Sequence, residues 1–339
     1  MKRGFLLMNT GSPDSTKVED VRNYLDEFLM DPYVIDLPWP LRALLVKGII
    51  LRTRPPESAH AYESIWTDNG SPLIHYCRQL TDGLNARIEE PVEMVMAYGN
   101  PSVPHGVGNL LDQGCDEICL LPMFPHHAMA TTGSCIAGVK KALRKRKSNA
   151  VMRVAPPFYL EPTYIQPLAE SLKGVNEHVL FSYHGLPERH IRKTDPTGSH
   201  CLKTPDCCNT PSPAHATCYR HQCFETTKAV AAAAGIPAEN YTVAFQSRLG
   251  RDKWLEPATD TTLAAFPAKG IKHLAVICPA FFCDCLETLE EIEIRGKETF
   301  MEAGGESYRM IPCINASSAG LQCMETLMAR AGEWPVHQT

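Results

Sequence analysis

Short runs of apolar residues recur along the chain, and each run ends in glycine, proline or polar residues. The seven runs are GFLLMN (4–9), VEMVMAYG (92–99), EICLLPM (117–123), AVMRVAPP (150–157), HVLFSYHG (178–185), TVAFQS (242–247) and HLAVICPA (273–280). Unbroken runs of this length are typical of strands buried on both faces of a parallel sheet. Helical spacing appears between them, at 18–29, 107–114, 225–235 and 286–304. The alternation of strands and helices predicts βαβ units and an α/β fold.

Four of these predicted strands precede residue 158 and three follow residue 177. This division predicts an N-terminal domain over 1–157 and a second domain over 158–315, followed by a C-terminal segment over 316–339. The segment 34–56 is apolar and punctuated by proline, and it matches neither spacing well. It indicates a helical excursion with an exposed apolar face, suited to an apolar ligand or a membrane surface. An ordinary pair of helices fits the same spacing.

Composition narrows the function classes. The chain has 339 residues and a net charge of −5, so we expect no nucleic-acid partner, because such proteins normally present a basic face. The N-terminal apolar run FLLM is too short for a signal peptide, and no stretch reaches the roughly 18 apolar residues of a membrane span. We therefore expect a cytoplasmic protein. Its 14 cysteines then indicate metal binding or catalysis before disulfides.

Polar side chains collect where the predicted strands end, which is where parallel sheets bind ligands. His184 lies at the end of a predicted strand and precedes a turn in SYHGLP, where a histidine can transfer protons, although the local sequence alone slightly favours a hydrogen-bonded structural histidine. FPHHAMATTGS contributes His126 and His127. FQSRLGRDKWLEP contributes Arg248, Arg251 and Trp254.

A second group of candidate residues is acidic and lies in CDCLETLEEIEIR (283–295). Glu287 and Glu291 are four residues apart, so on a helix they share one face, and two close carboxylates favour retention of a proton on one of them. Such a pair can accept protons or pass on a divalent cation. The structural alternatives are a capping box between Asp284 and Glu287 and an exposed ion pair between Glu291 and Arg295.

Together these segments resemble the ferrochelatase family over nearly the whole chain. The resemblance is carried by LLMNTGSP, FLMDPYVID, YESIWTDNGSPL, YGNPS, TTGS, LFSYHGLP, FQSRLGRDKWLEP, CPAFFCDCLETLEEI and IPCINAS. The variants look most like the Gram-negative branch, which uses protoporphyrin IX. The resemblance implies two Rossmann-like domains with parallel sheets, a porphyrin cleft between them, and a C-terminal helix that packs back on the first domain.

The resemblance also implies roles for individual residues. His184 and Glu287 would face each other across the macrocycle as the catalytic residues that meet the substrate Fe²⁺, with Glu291 next in an acidic row. Tyr98 and Trp254 match residues of the porphyrin pocket, and Arg54 matches a basic residue at the propionate end. The segment 34–56 matches a lip that closes over the porphyrin and can touch the membrane. The resemblance therefore implies a peripheral contact with the inner membrane. The oligomeric state stays open.

Two positions depart from the family pattern. Ala97 stands where most members have arginine, and Arg295 stands at a third acidic position. These changes affect propionate anchoring and the metal route. The competing interpretations are a cobalt chelatase for a sirohydrochlorin-type ring, a non-catalytic haem or iron–sulfur sensor, and a ferrochelatase that uses coproporphyrin.

An insert of roughly 20 residues, absent from most of the family, falls within 197–220. It is too short and polar to bury a core of its own, so a metal centre is the expected source of order. It contains Cys201, Cys207, Cys208 and Cys218, which we expect to bind a [2Fe–2S] cluster. Some ferrochelatases carry such a cluster, mostly through a C-terminal extension. Structural zinc is the alternative, although its usual C-x-x-C knuckles are absent, and Cys223 is the first replacement for any one ligand.

Overall fold

The computed structural model describes residues 1–248 and 252–338, and it contains two mainly parallel sheets. The strands are β1 (Arg3–Asn9), β2 (Val92–Met96), β3 (Glu117–Pro122), β4 (Val151–Val154), β5 (His178–His184), β6 (Tyr241–Gln246), β7 (His273–Ile277), β8 (Ser307–Ile311) and β9 (Val336–His337). The α-helices are α1 (Val18–Leu29), α2 (Trp39–Leu45), α3 (Leu51–Ile65), α4 (Pro72–Asn85), α5 (Val103–Asp112), α6 (Ser134–Lys145), α7 (Pro162–Ser171), α8 (Glu188–Lys193), α9 (Tyr219–Ala234), α10 (Thr259–Ala265), α11 (Lys297–Glu302) and α12 (Ser318–Ala329). The π-helical segments are Val46–Ile50, Met129–Gly133 and Glu287–Gly296.

All seven predicted strands form, and the predicted α/β class is confirmed. The sequence pattern missed two strands at sheet edges. Among the described residues β8 pairs only with β7, and its first four positions alternate between exposed and partly buried, so it lacks an unbroken apolar run. β9 has two residues and pairs antiparallel with β4. A strand that is buried on one face or that is very short gives little apolar signal.

The chain divides into two compact units, of which the first comprises residues 1–124, 129–156 and 315–339. Its sheet has the order β2-β1-β3-β4-β9. Side chains from the sheet pack with those of α5 and α6 into a buried core that includes Leu6, Val107 and Val139. The C-terminal helix α12 and strand β9 belong to this unit.

The segment 34–56 is helical from Trp39 onward, as both interpretations predicted. α2, the π-helical turn 46–50 and α3 follow one another without a break. Pro38, just before α2, and Pro40, within its first turn, suit a helix start, where a missing N–H costs no hydrogen bond. The segment exposes a row of large apolar side chains, with Trp39 64% and Leu44 66% exposed. The other members of this row are Leu37, Leu41 and Ile49.

The second unit comprises residues 125–128 and 157–314, so it contains the insert and both predicted catalytic segments. Its sheet has the order β6-β5-β7-β8 and is wholly parallel. β5 and β6 are paired through His184 and Gln246 at their carboxyl ends. This register places the turns SYHGLP and FQS side by side at one edge of the sheet. No helix among the described residues combines the length and the apolar character that crossing a membrane requires.

Candidate active site

His184 is the last residue of β5 and is half-buried. Its Nδ1 lies 2.6 Å from the carbonyl oxygen of Gly185. Because a carbonyl only accepts hydrogen bonds, Nδ1 carries the proton in this arrangement, and the Nε2 lone pair of the neutral ring is the basic site. The ring of Phe281 packs edge-on against the imidazole at 6.2 Å between centroids. The geometry therefore presents one defined nitrogen as a proton acceptor.

Gly185 fixes the turn that carries His184. Its N–H donates to the carbonyl oxygen of Gln246 at 2.7 Å. A Cβ at this position would lie 2.6 Å from that same oxygen and 3.3 Å from Cε3 of Trp254. Only glycine permits this approach. Trp254 is half-buried and its backbone bridges to Pro187, so the predicted pocket tryptophan lies against the HGLP turn.

Glu287 and Glu291 lie on a π-helix, where the sequence predicted an α-helix. The π-helical segment runs from Glu287 to Gly296 and continues as α11. Its i→i+5 hydrogen bonds make it rare, and such segments are frequent at functional sites. The Tyr308 hydroxyl donates to the carbonyl oxygen of Ile292 at 2.6 Å, which supports the wider winding. Local spacing cannot reveal this winding, because the support comes from a distant strand.

Ser247 binds the Glu291 carboxylate with two donors. Its N–H donates to Oε1 at 2.8 Å, and its hydroxyl donates to Oε2. Ser247 has a φ of +65°, a left-handed conformation that is uncommon for residues other than glycine. Strain of this kind persists where the surroundings enforce it, commonly at functional sites. The sequence reasoning quoted the FQSR motif and missed this serine, because its role depends on the backbone conformation.

The three predicted catalytic side chains interact electrostatically. Burial raises the pKa of the Glu291 carboxyl above its usual value, and the negative charge of Glu287 raises it further. The hydrogen bonds from Ser247 and a positive charge on His184 act in the opposite direction. Glu291 is therefore a carboxyl group that holds a proton more readily than an exposed glutamate does, beside a second carboxylate and an imidazole. That arrangement can accept and pass on protons.

Two structural alternatives for these residues are wrong. Asp284 Oδ1 accepts from the Thr288 hydroxyl at 2.9 Å, and Thr288 Oγ1 accepts from the N–H of Cys285 at 3.0 Å, so Thr288 takes the place expected for Glu287 in the capping box. Arg295 pairs with Glu290 at 2.7 Å between Nε and Oε1, and Glu291 is instead bound by Ser247. Glu287 and Glu291 are therefore used neither in a capping box nor in an ion pair with Arg295, and Glu291 interacts electrostatically with both Glu287 and His184.

The other predicted residues are distributed over both units. Tyr98 is buried in the first unit, and its hydroxyl donates to Asp31 Oδ2 at 2.8 Å. Arg54 is exposed in the first turn of α3. Arg248 is exposed after β6, and Arg251 lies outside the described residues. His126 is fully buried, which lowers its pKa to about 3, and its Nε2 lies 2.9 Å from the Thr226 hydroxyl. His126 is thus a neutral packing residue.

The four cysteines of the insert are all buried. The Cys218 thiol interacts with those of Cys208 and Cys201, and its interaction with Cys208 is the main cause that lowers the pKa of the Cys218 thiol. The Leu202 N–H donates to Cys207 Sγ at 3.3 Å. Among the described residues, no set of three or more His, Cys, Asp or Glu side chains is already arranged as a metal site. The thiols therefore lie together without a preformed coordination shell.

Histidines and an aspartate surround these thiols, and the sequence reasoning missed them. His200 and His215 donate through Nε2 to the carbonyl oxygen of Cys207 at 2.7 Å and 3.1 Å, and His221 donates through Nδ1 to that of Cys208 at 2.7 Å. Asp195 Oδ2 accepts from the N–H groups of His200 and Cys201 at 2.9 Å and 2.8 Å. These bonds order the polar insert where it has no apolar core of its own.

Removing the Ser247 hydroxyl should shift the pH dependence of the activity. In Ser247→Ala, the Glu291 carboxylate loses a hydrogen bond that stabilises its charged form, so its pKa rises. A smaller fraction of Glu291 is then ionised at a given acidic pH, and we expect the acid limb of the kcat/KM profile to move to higher pH. Ser247→Gly removes the same hydroxyl and tolerates φ +65°, so it should produce the same shift. An unmoved acid limb in both variants would exclude Glu291 as the titrating group.

The comparisons with known proteins cover almost the whole chain. The family model described as ferrochelatase matches residues 2–331. The ferrochelatase of Ectopseudomonas mendocina is 50% identical over 332 residues, covering 96% of this chain and 97% of that protein. The ferrochelatase of Stutzerimonas stutzeri is 46% identical, covering 97% and 98%, and that of Pseudomonas fluorescens SBW25 is 48% identical, covering 96% and 97%.

Solved structures establish the fold independently. SirB from Bacillus subtilis with Fe³⁺ has a TM-score of 0.52 and 12% identity, covering 98% of this chain and 96% of that one. The sirohydrochlorin chelatase SirB from B. subtilis subspecies spizizenii, in complex with cobalt, has a TM-score of 0.53 and 11% identity, with the same coverage. At this identity the likeness concerns the fold alone, and it confirms the predicted chelatase-like fold. On the sequence comparisons, the chain belongs to the ferrochelatase family.

Proposed function

We propose that the protein inserts Fe²⁺ into protoporphyrin IX to form protohaem, the last step of haem biosynthesis. The observation that carries this proposal is the electrostatic contact among His184, Glu287 and Glu291 in a chain of the ferrochelatase family. Insertion needs no nucleophile and no redox step. It needs groups that accept the two pyrrole protons and that meet a divalent cation, and this set supplies an imidazole and two carboxylates.

His184 is the first proton acceptor in this mechanism. Its Nδ1–H is held by the Gly185 carbonyl at 2.6 Å, which leaves Nε2 to take a pyrrole proton. Glu287 and Glu291 then serve as the acidic partners, and the raised pKa of Glu291 suits it to receive a proton and release it. Trp254 and Tyr98 are proposed as pocket residues and Arg54 as a partner for a propionate. Bending the macrocycle toward the metal would draw on binding energy from the rest of the porphyrin.

The substrate is tested by an anaerobic insertion assay with purified protein and Fe²⁺. We expect kcat/KM with protoporphyrin IX to exceed kcat/KM with coproporphyrin III at least tenfold. The reverse order would make the protein a coproporphyrin chelatase. No insertion into either porphyrin, with Co²⁺ insertion into a sirohydrochlorin-type ring, would place it with the cobalt chelatases despite its sequence.

A [2Fe–2S] cluster in the insert is a second part of the proposal. Cys201, Cys207, Cys208 and Cys218 supply four buried thiols, the number that such a cluster requires. Arg220 Nη1 lies 3.5 Å from Cys208 Sγ and 3.9 Å from Cys207 Sγ, and the Leu202 N–H also points at Cys207 Sγ. Donors of this kind stabilise thiolate sulfur and tune a cluster. When bound, the cluster would supply structural order or a sensory response, since insertion itself transfers no electron.

Cys223 is less suited to this role than the other four. It is fully buried on α9 and interacts with the Tyr219 side chain. Zinc remains the competing occupant, because four thiolates also satisfy a structural zinc site. Four thiols match the number of ligands that either metal centre needs, and the irregular spacing of the cysteines favours the cluster.

The exposed apolar row of 34–56 is proposed as a peripheral membrane contact at the inner membrane. Trp39, Leu41, Leu44 and Ile49 are each more than half exposed, and basic residues follow at Arg52 and Arg54. This combination suits the interface of an anionic bilayer. We expect the protein to float with liposomes that contain anionic lipid and to be stripped by carbonate. The double variant Trp39→Ser/Leu44→Ser should no longer float with the liposomes. The control Val336→Ser, at an exposed apolar site outside this row, should still float. Equal binding by the wild type, the double variant and the control would contradict the assignment.

A further inference from the structure

The peptide that joins His184 to Gly185 is held on both of its sides. Its N–H, from Gly185, donates to the Gln246 carbonyl oxygen at 2.7 Å. Its carbonyl, from His184, accepts from the Tyr219 hydroxyl at 2.9 Å. The next carbonyl, that of Gly185, holds the imidazole Nδ1 at 2.6 Å. The Tyr219 hydroxyl therefore holds the peptide that directly precedes the carbonyl that holds the His184 ring.

Tyr219 is itself well constrained. It is buried, and its ring packs edge-on against His126 at 5.8 Å between centroids. His126, which is neutral and also contacts Tyr183 at 5.4 Å between ring centroids, braces the tyrosine against the end of β5.

Tyr219 also connects this peptide to the cysteine-rich insert. It directly follows Cys218 and is the first residue of α9. The Cys218 thiol interacts with Cys201 and Cys208, and Thr217 donates through its hydroxyl to the Thr194 carbonyl at 2.6 Å. The order of the insert therefore determines where α9 begins, and the start of α9 determines where the Tyr219 hydroxyl points.

We propose that Tyr219 is a positioning residue for His184, through which the order of the cysteine-rich insert fixes the orientation of the His184 imidazole. The inference rests on the proposed function only in taking His184 as a base. Tyr219 acts on the backbone carbonyl of His184, on the side opposite the Gly185 N–H. Through Tyr219, the insert would influence proton transfer at His184 without any electron transfer.

The test is Tyr219→Phe, which removes one hydroxyl and keeps the ring that packs against His126. We expect kcat for Fe²⁺ insertion to fall at least fivefold with an unchanged KM for the porphyrin, because a misoriented base slows proton transfer without altering porphyrin binding. The ¹³C shift of the His184 carbonyl should move, and the ¹⁵N spectrum should show loss of the single Nδ1–H tautomer. The matched control is Tyr164→Phe, a buried tyrosine whose hydroxyl donates to the Pro279 carbonyl; it should leave both His184 signals unchanged.

Unchanged kcat, or unchanged His184 signals, in a folded Tyr219→Phe protein would overturn the proposal. If Tyr219→Phe does not fold, 3-fluorotyrosine at position 219 keeps the hydroxyl as a stronger donor, and it must move the His184 carbonyl shift for the proposal to stand. The magnetic resonance signals do not depend on turnover. They therefore test the link between Tyr219 and His184 even if the wild-type protein proves to have a different activity.

Discussion

We expect His184→Ala and Glu287→Gln each to reduce the rate of Fe²⁺ insertion to less than a tenth of the wild-type rate while the protein stays folded. The alanine variant loses the Nε2 acceptor that the Gly185 carbonyl orients. Glutamine at position 287 keeps the shape of the side chain but cannot accept a proton, and it removes the negative charge that raises the pKa of Glu291. A tenfold loss corresponds to about 1.4 kcal/mol of barrier, which is modest for a base in direct contact with the reaction.

The matched control is Glu293→Gln, which removes an exposed carboxylate from the same π-helical segment. This variant should retain the wild-type rate. The exposed charge of Glu293, two residues after Glu291, is screened by water and contributes little to the half-buried His184 and Glu291. Stopped-flow absorbance would measure insertion, and thermal melting would check folding. Retention of more than about a tenth of the activity in both catalytic variants would remove the base roles assigned to these residues.

The second large effect should follow removal of one cysteine from the insert. Wild-type protein purified without oxygen should be reddish, with visible absorption that dithionite bleaches, and Cys201→Ser should lose that colour. The segment 197–220 should then become accessible to proteases, because a metal centre closes loops that hydrogen bonds alone hold weakly. Cys115→Ser is the control, since Cys115 lies outside the insert and its bond to the Arg3 carbonyl, at 3.6 Å, is one that serine can also make.

Each outcome of this experiment separates two alternatives. Colourless wild-type protein with one zinc per chain would contradict the cluster and retain the cysteine set. An unchanged cluster in Cys201→Ser would contradict the ligand assignment and direct attention to Cys223. The three histidines that hold the carbonyls of Cys207 and Cys208 should stay in place in either case, because their bonds are to the backbone.

The fold was predictable from the sequence wherever a strand is buried on both faces. β1, β3 and β5 are continuous apolar runs, and their positions were predicted to within one residue. β8 was missed because Tyr308 and Met310 are only partly buried and alternate with exposed residues. The π-helix at Glu287–Gly296 was missed because its winding is supported by Tyr308, which is distant in sequence.

The sequence could nominate candidate site residues where their chemistry is visible in the residue type, as for His184, Glu287 and Glu291, whose catalytic roles stay predictions. A residue was not predictable where its role depends on a backbone conformation or on a bond to a distant carbonyl. Ser247 acts through a left-handed φ, and Tyr219 acts through the His184 carbonyl, 35 positions earlier. Neither residue type signals such a role, because serine and tyrosine occur throughout the chain in purely structural positions.

Proton release during metallation tests the central claim most directly. Purified protein, Fe²⁺ and protoporphyrin IX would be mixed without oxygen in weakly buffered indicator solution, and the protons released would be counted against the haem formed. We predict two protons for each haem, at a rate that His184→Ala and Glu287→Gln reduce at least tenfold. Binding of iron and porphyrin without haem formation or proton release would contradict the account, and would make the protein a binding protein built on the chelatase fold.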